Sequence, residues 1–120
     1  MKTSLKKCLS IQAGLIALSE SKMLDLKNSF AVAKNIRALE PVIESFNEVK
    51  SDFESKIKDM ADDEGNVAVA EVEEINKALE EVLDELHVVD LAKLDMSKMD
   101  KIDVPARVIA QVLDIAEYNG

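Results

Sequence analysis

Two long apolar stripes at helical spacing flank a short segment of turn residues, and they constrain the fold more than any other feature. The turn segment is residues 61–69, ADDEGNVAV. Because apolar residues three and four apart share one face of a helix, the stripes predict two amphipathic helices that pack on each other as an antiparallel hairpin. The first stripe comprises Ile36, Leu39, Ile43, Phe46, Val49, Phe53, Ile57 and Met60, and the second comprises Val72, Ile75, Leu79, Val82 and Leu86.

The first helix of this hairpin contains a proline, so its continuity is in question. We expect the helix to begin near Asn28 or Ser29, whose side chains can accept a hydrogen bond from first-turn amides, and to run to about residue 58. Pro41 removes one amide donor, and its ring clashes with the carbonyl four residues earlier. The sequence therefore predicts a kink or break within residues 36–41, with the apolar stripe continuing across it.

Two further helices are predicted at the ends of the chain, where they would pack on the hairpin. Residues 4–20 place apolar side chains at helical spacing. A last helix is expected over residues 104–117, with Asp103 as its N-cap and Pro105 in its first turn. The side chains expected on their buried faces are Leu5, Cys8, Leu9, Leu15 and Ile16 in the first helix and Val104, Val108, Val112 and Ile115 in the last.

Short β-branched runs interrupt the helical pattern at two places. Val67 and Val69 alternate with small residues after the turn, and residues 87–91, HVVDL, follow the hairpin. These runs are expected to pair as a minor two-stranded β element. The predicted fold is therefore mainly α, an antiparallel helical hairpin with N- and C-terminal packing helices. Because 120 residues is a usual size for one domain, residues 1–120 are interpreted as a single helical domain.

The N-terminal segment has some features of a signal peptide but lacks others. Early lysines precede an apolar stretch, yet Ser10 and Gln12 interrupt it and no cleavage motif of small residues follows. No run approaches the roughly 20 apolar residues that span a bilayer. The lone Cys8 excludes a disulfide within the chain and fits a reducing compartment. We therefore expect a cytoplasmic protein that acts without a membrane.

Charge is distributed unevenly along the chain. Residues 1–58 hold 10 Lys or Arg and 7 acids, a net charge of +3, whereas residues 59–120 hold 5 and 17, a net charge of −12. On the second helix of the hairpin, the acids occupy the face opposite to the apolar stripe. Ten acids of the turn and this helix form what we name the acidic ridge: Asp59, Asp62, Asp63, Glu64, Glu73, Glu74, Glu80, Glu81, Asp84 and Glu85.

The acidic ridge has two interpretations. A solvated acidic face keeps a small protein soluble, and this is the more frequent use of such a face. Alternatively, the ridge binds a basic surface of another protein, including a surface that normally receives nucleic-acid phosphate. Such binding would weaken as salt rises.

The acidic turn itself does not match a metal-binding loop. Residues 59–64 hold four carboxylates, but a calcium loop with Gly65 at its sixth position would have Met60 at its first, where a carboxylate is needed. We expect an ordinary turn, with Gly65 or Asn66 at positive φ.

Motifs that would indicate catalysis are absent from the sequence. His87 is the single histidine, no recognisable nucleophile motif lies near it, and it is interpreted as a histidine at a helix end. No Gly-rich phosphate loop or metal-type His/Cys spacing is present. The protein is therefore not expected to be an enzyme or to hold a cofactor or metal. Direct nucleic-acid binding is disfavoured, because the chain is acidic and its three Phe occupy core-like positions.

Four segments together resemble a family of small uncharacterised helical-hairpin proteins of tailed phages and prophages. The segments are KNSFAVAKNIRALEPVIESFNEVKSDFESK, the DEGNVAV turn, EINKALEEVLDELHVVDLAKLDM and IDVPARVIAQVLDIAE. The resemblance covers the chain from about residue 27 onward, and Pro41 departs from the pattern. It implies a phage origin and a site of action in the bacterial host cytoplasm, and it transfers no functional residues.

Two functions follow from this combination of features. The first is a non-catalytic inhibitor that uses the acidic ridge to bind a host defence or nucleic-acid-processing protein. The alternative is a virion or assembly accessory protein that forms a homo-oligomer through the hairpin, since the spacing of its apolar residues is also typical of packing between chains. Either way, the expected partner is a host or phage protein.

Overall fold

The computed structural model describes residues 1–99 and 102–117, and within them the chain is mainly helical, as predicted. In this part of the chain, four α-helices form the body of the fold and two minimal sheets join distant segments. The elements are β1 (Lys2–Ser4), α1 (Leu5–Ser19), α2 (Leu26–Met60), α3 (Val69–Leu83), β2 (Leu86–Val88), β3 (Leu94–Asp95), α4 (Ala106–Gln111) and β4 (Ala116–Glu117), with 3-10 turns at Met96–Lys98 and Leu113–Ile115.

The long helix α2 begins three residues earlier than predicted. Its N-cap is Asp25, whose carboxylate accepts a hydrogen bond from the Asn28 amide at 3.3 Å. The prediction of Asn28 or Ser29 as the cap is therefore wrong. A carboxylate suits this position better, because it also interacts favourably with the positive end of the helix dipole.

Helix α2 is continuous across Pro41, so the predicted break is wrong. Pro41 is exposed, which places its ring on the solvent side of the helix. The Pro41 carbonyl accepts a hydrogen bond from the Ser45 hydroxyl at 2.9 Å. Leu39 and Phe46 are both buried on the other side of α2, and their packing holds the helix before and after the proline. This packing outweighs the loss of one backbone hydrogen bond.

Helix α1 lies against α2 and forms the centre of the core. Ser4 caps it by accepting a hydrogen bond from the Lys7 amide at 3.2 Å. The predicted burial of Leu5, Cys8 and Leu15 is confirmed, whereas Leu9 is half-buried and Ile16 is exposed. The buried apolar cluster of α1, α2, α4 and their neighbouring segments comprises Cys8, Ile11, Leu15, Leu18, Ala31, Val32, Leu39, Val89, Leu94, Met96, Met99, Val108, Val112 and Ile115.

Two asparagines of α2 attach the β3 region to the helix. Asn28 and Asn35 are seven residues apart, so they share a face of α2, and both are buried. The Asn35 amide donates to the Ala92 carbonyl at 2.8 Å, and its oxygen accepts from the Ala92 amide at 2.6 Å. Asn28 makes the same two bonds with Asp95, at 2.9 and 2.8 Å. Each asparagine thus satisfies both backbone polar groups of one residue, as a neighbouring strand would.

The minor β element exists, but its predicted partner is wrong. Strand β2 pairs antiparallel with β1 at the N-terminus, with Thr3 opposite His87. Val67 lies outside any strand, and Val69 is the first residue of α3. The pairing continues beyond the strands, since the Met1 amine donates to the Val89 carbonyl at 2.9 Å. A second pair, β3 with β4, is parallel and joins the C-terminal segment to the core.

The C-terminal helix is shorter than predicted. Helix α4 covers Ala106–Gln111, and a 3-10 turn and β4 replace its expected second half. Pro105 rather than Asp103 is the N-cap, and no side chain caps the helix. Val108, Val112 and Ile115 are buried as predicted, while Val104 is half-buried.

Helix α3 returns antiparallel along α2, which completes the hairpin. Val82 of α3 shares a groove with Phe46, and Ile75 shares the next groove with Ile57. All of α3 is described and none of its residues is buried. Leu86, predicted as the end of its apolar stripe, lies in β2 and is exposed, because α3 ends at Leu83.

The molecule is elongated and has two regions. It measures 60 × 27 × 20 Å, and α2, about 52 Å long at 1.5 Å per residue, spans most of the long axis. We call α1, α4, the two sheets and α2 as far as Phe46 the head. Residues 49–83, the end of α2 with the turn and α3, form the distal hairpin.

Candidate interaction surfaces

The acidic ridge begins with Asp59 in the last turn of α2, continues along the turn and the outer side of α3, and ends with Asp84 and Glu85 immediately after that helix. All ten of its residues are exposed. None of them forms an ion pair within residues 1–99 and 102–117, where the one salt bridge joins Lys7 to Asp114 in the head. Lys77 is the single base among residues 59–85. The ridge is therefore a strongly negative surface with almost no internal compensation.

The turn between α2 and α3 is ordered by one ridge residue. The Asp62 carboxylate accepts hydrogen bonds from the Glu64 and Asn66 amides, both at 2.9 Å. Gly65 adopts φ of 82°, which confirms it rather than Asn66 as the positive-φ residue. Asp62 thus shapes the turn through these two hydrogen bonds. Among the described residues, no group of His, Cys, Asp or Glu is arranged to hold a metal ion.

Between α2 and α3 the hairpin is incompletely filled. A groove of about 210 Å³ lies in the distal hairpin, lined by Phe53 and Ile57 of α2 and by Ile75 and Leu79 of α3. These side chains are half-buried. Lys56 places its ammonium 5.2 Å from the centre of the Phe53 ring, a cation–π distance. The apolar faces meet as predicted, but they leave space along their contact.

Two side chains are best suited to nucleophilic or acid–base chemistry, His87 and Cys8, and His87 shares a groove with the ridge residue Glu85. His87 is in β2 rather than at a helix end, half-buried beside a groove of about 150 Å³ that Leu5 and Phe46 also line. Its Nε2 is buried without a hydrogen-bond partner among the described residues. Cys8 is fully buried, and desolvation raises the pKa of its thiol. Burial of this kind makes a cysteine unreactive.

A second surface, on α2, was missed by sequence reasoning. Phe30 was expected in the core, but it is 73% exposed, and Leu26, one turn before it, is 87% exposed. Phe30 lines an open groove of about 440 Å³ together with Ala33, Lys34 and Arg37. The prediction that all three Phe occupy core-like positions is therefore wrong. The signal was present in the sequence, since Leu26, Phe30 and Ala33 recur at helical spacing outside the assigned stripe.

No helix in the described part of the chain combines the length and the apolar character needed to cross a membrane. Comparisons with protein-family models, with curated proteins and with solved structures found no significant match. The function is therefore argued from the surfaces of the molecule.

Proposed function

We propose that the protein is a non-catalytic binding protein whose acidic ridge docks on a basic surface of another protein. The observation that supports this best is the placement of the ridge. Its ten carboxylates are exposed and lack ion-pair partners in the described part of the chain, and eight of them lie on the distal hairpin of a 60 Å molecule. A projecting hairpin can bring this charge to a partner without contact from the head.

The chemistry of such a surface favours one class of partner. Unpaired carboxylates on one side of a helix attract clustered Lys and Arg, and the field of the ridge would accelerate the encounter. Proteins that bind nucleic-acid phosphate carry such basic clusters. A nuclease or another nucleic-acid-processing protein of a bacterial host is therefore the proposed target. The phage origin, the cytoplasmic location and the inhibitory role rest on the family resemblance of the sequence.

The test is affinity capture from extracts of infected and uninfected bacteria, using the tagged protein and a ridge variant. The ridge variant carries Glu73→Lys, Glu80→Lys and Asp84→Lys, three exposed positions along α3 and its end. We expect the unmodified protein to retain a basic partner that the variant loses. With the purified partner, the variant should bind about tenfold more weakly or worse, and the unmodified complex should weaken as salt rises.

A matched control separates ridge position from total charge. It carries Glu20→Lys, Asp90→Lys and Asp103→Lys, which change the net charge equally at exposed positions outside the distal hairpin. The control should retain the partner. Binding that both variants keep, or that salt does not affect, would contradict the proposal and leave the ridge as a solvated face. Circular dichroism of all three proteins confirms equal folding.

A further inference from the structure

The outer face of α2 is an exposed stripe that runs the length of the helix on the side opposite to the core. Its members recur three or four residues apart, so they lie on one face. The face α2 turns toward α1 and α3 carries Asn28, Asn35 and Leu39 and then Phe53 and Ile57. All members of the outer face are exposed: Leu26, Phe30, Ala33, Lys34, Arg37, Pro41, Glu44, Glu48, Ser51, Asp52 and Ser55.

The two halves of this outer face have opposite chemistry. Before Pro41 it is apolar and basic, with Phe30, Lys34 and Arg37 around the open groove. After Pro41 it is acidic and small, because Glu44, Glu48 and Asp52 alternate with two serines. The order of charge along the helix is therefore basic and then acidic.

This order restricts what can cover the face. A nucleic acid or an anionic membrane would suit Phe30, Lys34 and Arg37, but it would be repelled by Glu44 and Glu48 about two to five turns further along the same face. A partner that complements the whole face must carry the reverse order of charge. The same helix of a second copy, run antiparallel, has this order.

We propose that two copies of the chain associate through the outer faces of α2, packed antiparallel about a two-fold axis. With the axis near residue 43, the midpoint of α2, Arg37 lies opposite Glu48 of the second copy, and Phe30 lies opposite its Ser55. The serine leaves room for the aromatic ring, and the exposed Leu26 is covered at the end of the overlap. By symmetry each contact occurs twice, so the association closes at two copies.

The rest of the fold leaves room for this arrangement. Both α1 and α3 pack on the opposite side of α2, so neither obstructs the outer face. The association also differs from oligomerisation through the hairpin, which would use the groove of Phe53 and Leu79. It is independent of the proposed function, because the positions tested there, Glu73, Glu80 and Asp84, lie on α3 or immediately after it and not on the outer face of α2.

The experiment is sedimentation velocity of the full chain over a range of micromolar concentrations, with a charge-swap series. Arg37→Glu and Glu48→Arg each place like charges opposite each other twice in the dimer. The double variant R37E/E48R restores opposite charges with the order reversed. Glu71→Arg on α3 is the matched control, since it makes the same substitution as E48R at an exposed position away from the outer face and outside the acidic ridge.

We expect the unmodified protein and the Glu71→Arg control to dimerise alike. Each single variant should weaken dimerisation by about tenfold or more, and R37E/E48R should recover it. If R37E/E48R dimerises, misfolding cannot explain the weaker dimerisation of the single variants, because the double variant contains both substitutions. A monomer at every concentration, or a double variant weaker than either single one, overturns the proposal. The proposal is also overturned if the unmodified protein is monomeric and binds single-stranded DNA or anionic phospholipid vesicles through Phe30 and Arg37, because the outer face would then bind a different partner.

Discussion

The head and the distal hairpin are built on the same helix, but they are stabilised in different ways. In the head, α2 buries Val32 and Leu39 against α1 and bonds the β3 region through two buried asparagines. In the distal hairpin, α2 and α3 share half-buried side chains and leave a groove of about 210 Å³. Buried packing is therefore concentrated in the head, whereas most of the acidic ridge lies on the distal hairpin.

This difference explains where the acidic charge can be placed. A carboxylate near a dry core loses hydration and shifts toward its neutral form, whereas one on an open hairpin keeps its water. The ridge residues are exposed and lie beside a thin apolar contact rather than a core. The head supplies most of the stability, which frees the distal hairpin to carry repelling charges. Regions with few buried contacts are also those that open locally at low free energy.

The largest expected difference in stability between the two regions comes from a leucine-to-alanine substitution made in each. Leu15→Ala in the head should reduce the free energy of unfolding by about 2–5 kcal/mol, because Leu15 is fully buried and truncation leaves a cavity. Leu79→Ala in the distal hairpin should reduce it by about 1 kcal/mol, because Leu79 is half-buried beside an existing groove. Denaturant unfolding at one protein concentration measures both. Equal losses would show that the hairpin is packed as tightly as the head.

A smaller difference in stability is expected from an asparagine-to-alanine substitution made in each region. Asn35→Ala should reduce the free energy of unfolding by about 2–3 kcal/mol, because the amide and carbonyl of Ala92 lose their partners. Asn76→Ala, at an exposed position on the edge of the groove between α2 and α3, should change it by less than about 0.5 kcal/mol. Amide hydrogen exchange supplies the local readout, since the Ala92 amide should lose protection in N35A. Unchanged protection there would show that the bond to Asn35 does not hold this segment.

The features predicted correctly from the sequence are those set by local pattern. Apolar spacing predicted α1 to within one residue at each end, together with the hairpin, and the turn chemistry predicted Gly65 at positive φ. Both depend on neighbouring residues alone. The acidic ridge was also predictable as an exposed surface, because α3 turns its apolar stripe toward α2 and its acids toward water.

The features missed depend on distant partners. Strand β2 pairs with β1, more than eighty residues away, and no local signal distinguishes that partner from the nearer Val67 and Val69. Pro41 was expected to break a helix that packing on both sides keeps intact. The sequence places the polar side chain of Asn35 at a core position, and only its distant hydrogen-bond partner, Ala92, explains why it is there. Tertiary contacts overrode local preference in each case.

The smallest expected effects on stability come from substituting two glycines, one needed for close packing and the other for its backbone conformation. In the head, a Cβ at Gly14 would lie 2.8 Å from the Val112 Cγ1 atom, so Gly14→Ala should reduce the free energy of unfolding by about 1 kcal/mol after the gain in helix propensity. In the distal hairpin, Gly65 has open space but φ of 82°, so Gly65→Ala should have a similar effect through backbone strain alone.

Second substitutions tell the two causes apart, again by denaturant unfolding. Gly14→Ala should be less harmful in a Val112→Ala background, because the contact with the Val112 methyl is removed and the contact with the Gln111 Cβ atom, at 2.9 Å, remains. Gly65→Asn should be less harmful than Gly65→Ala, because asparagine tolerates the left-handed region. If Gly14→Ala cost nothing in either background, α1 and α4 would already move apart to admit the methyl group. The head would then be looser at this contact than its burial indicates, and the contrast with the distal hairpin would narrow.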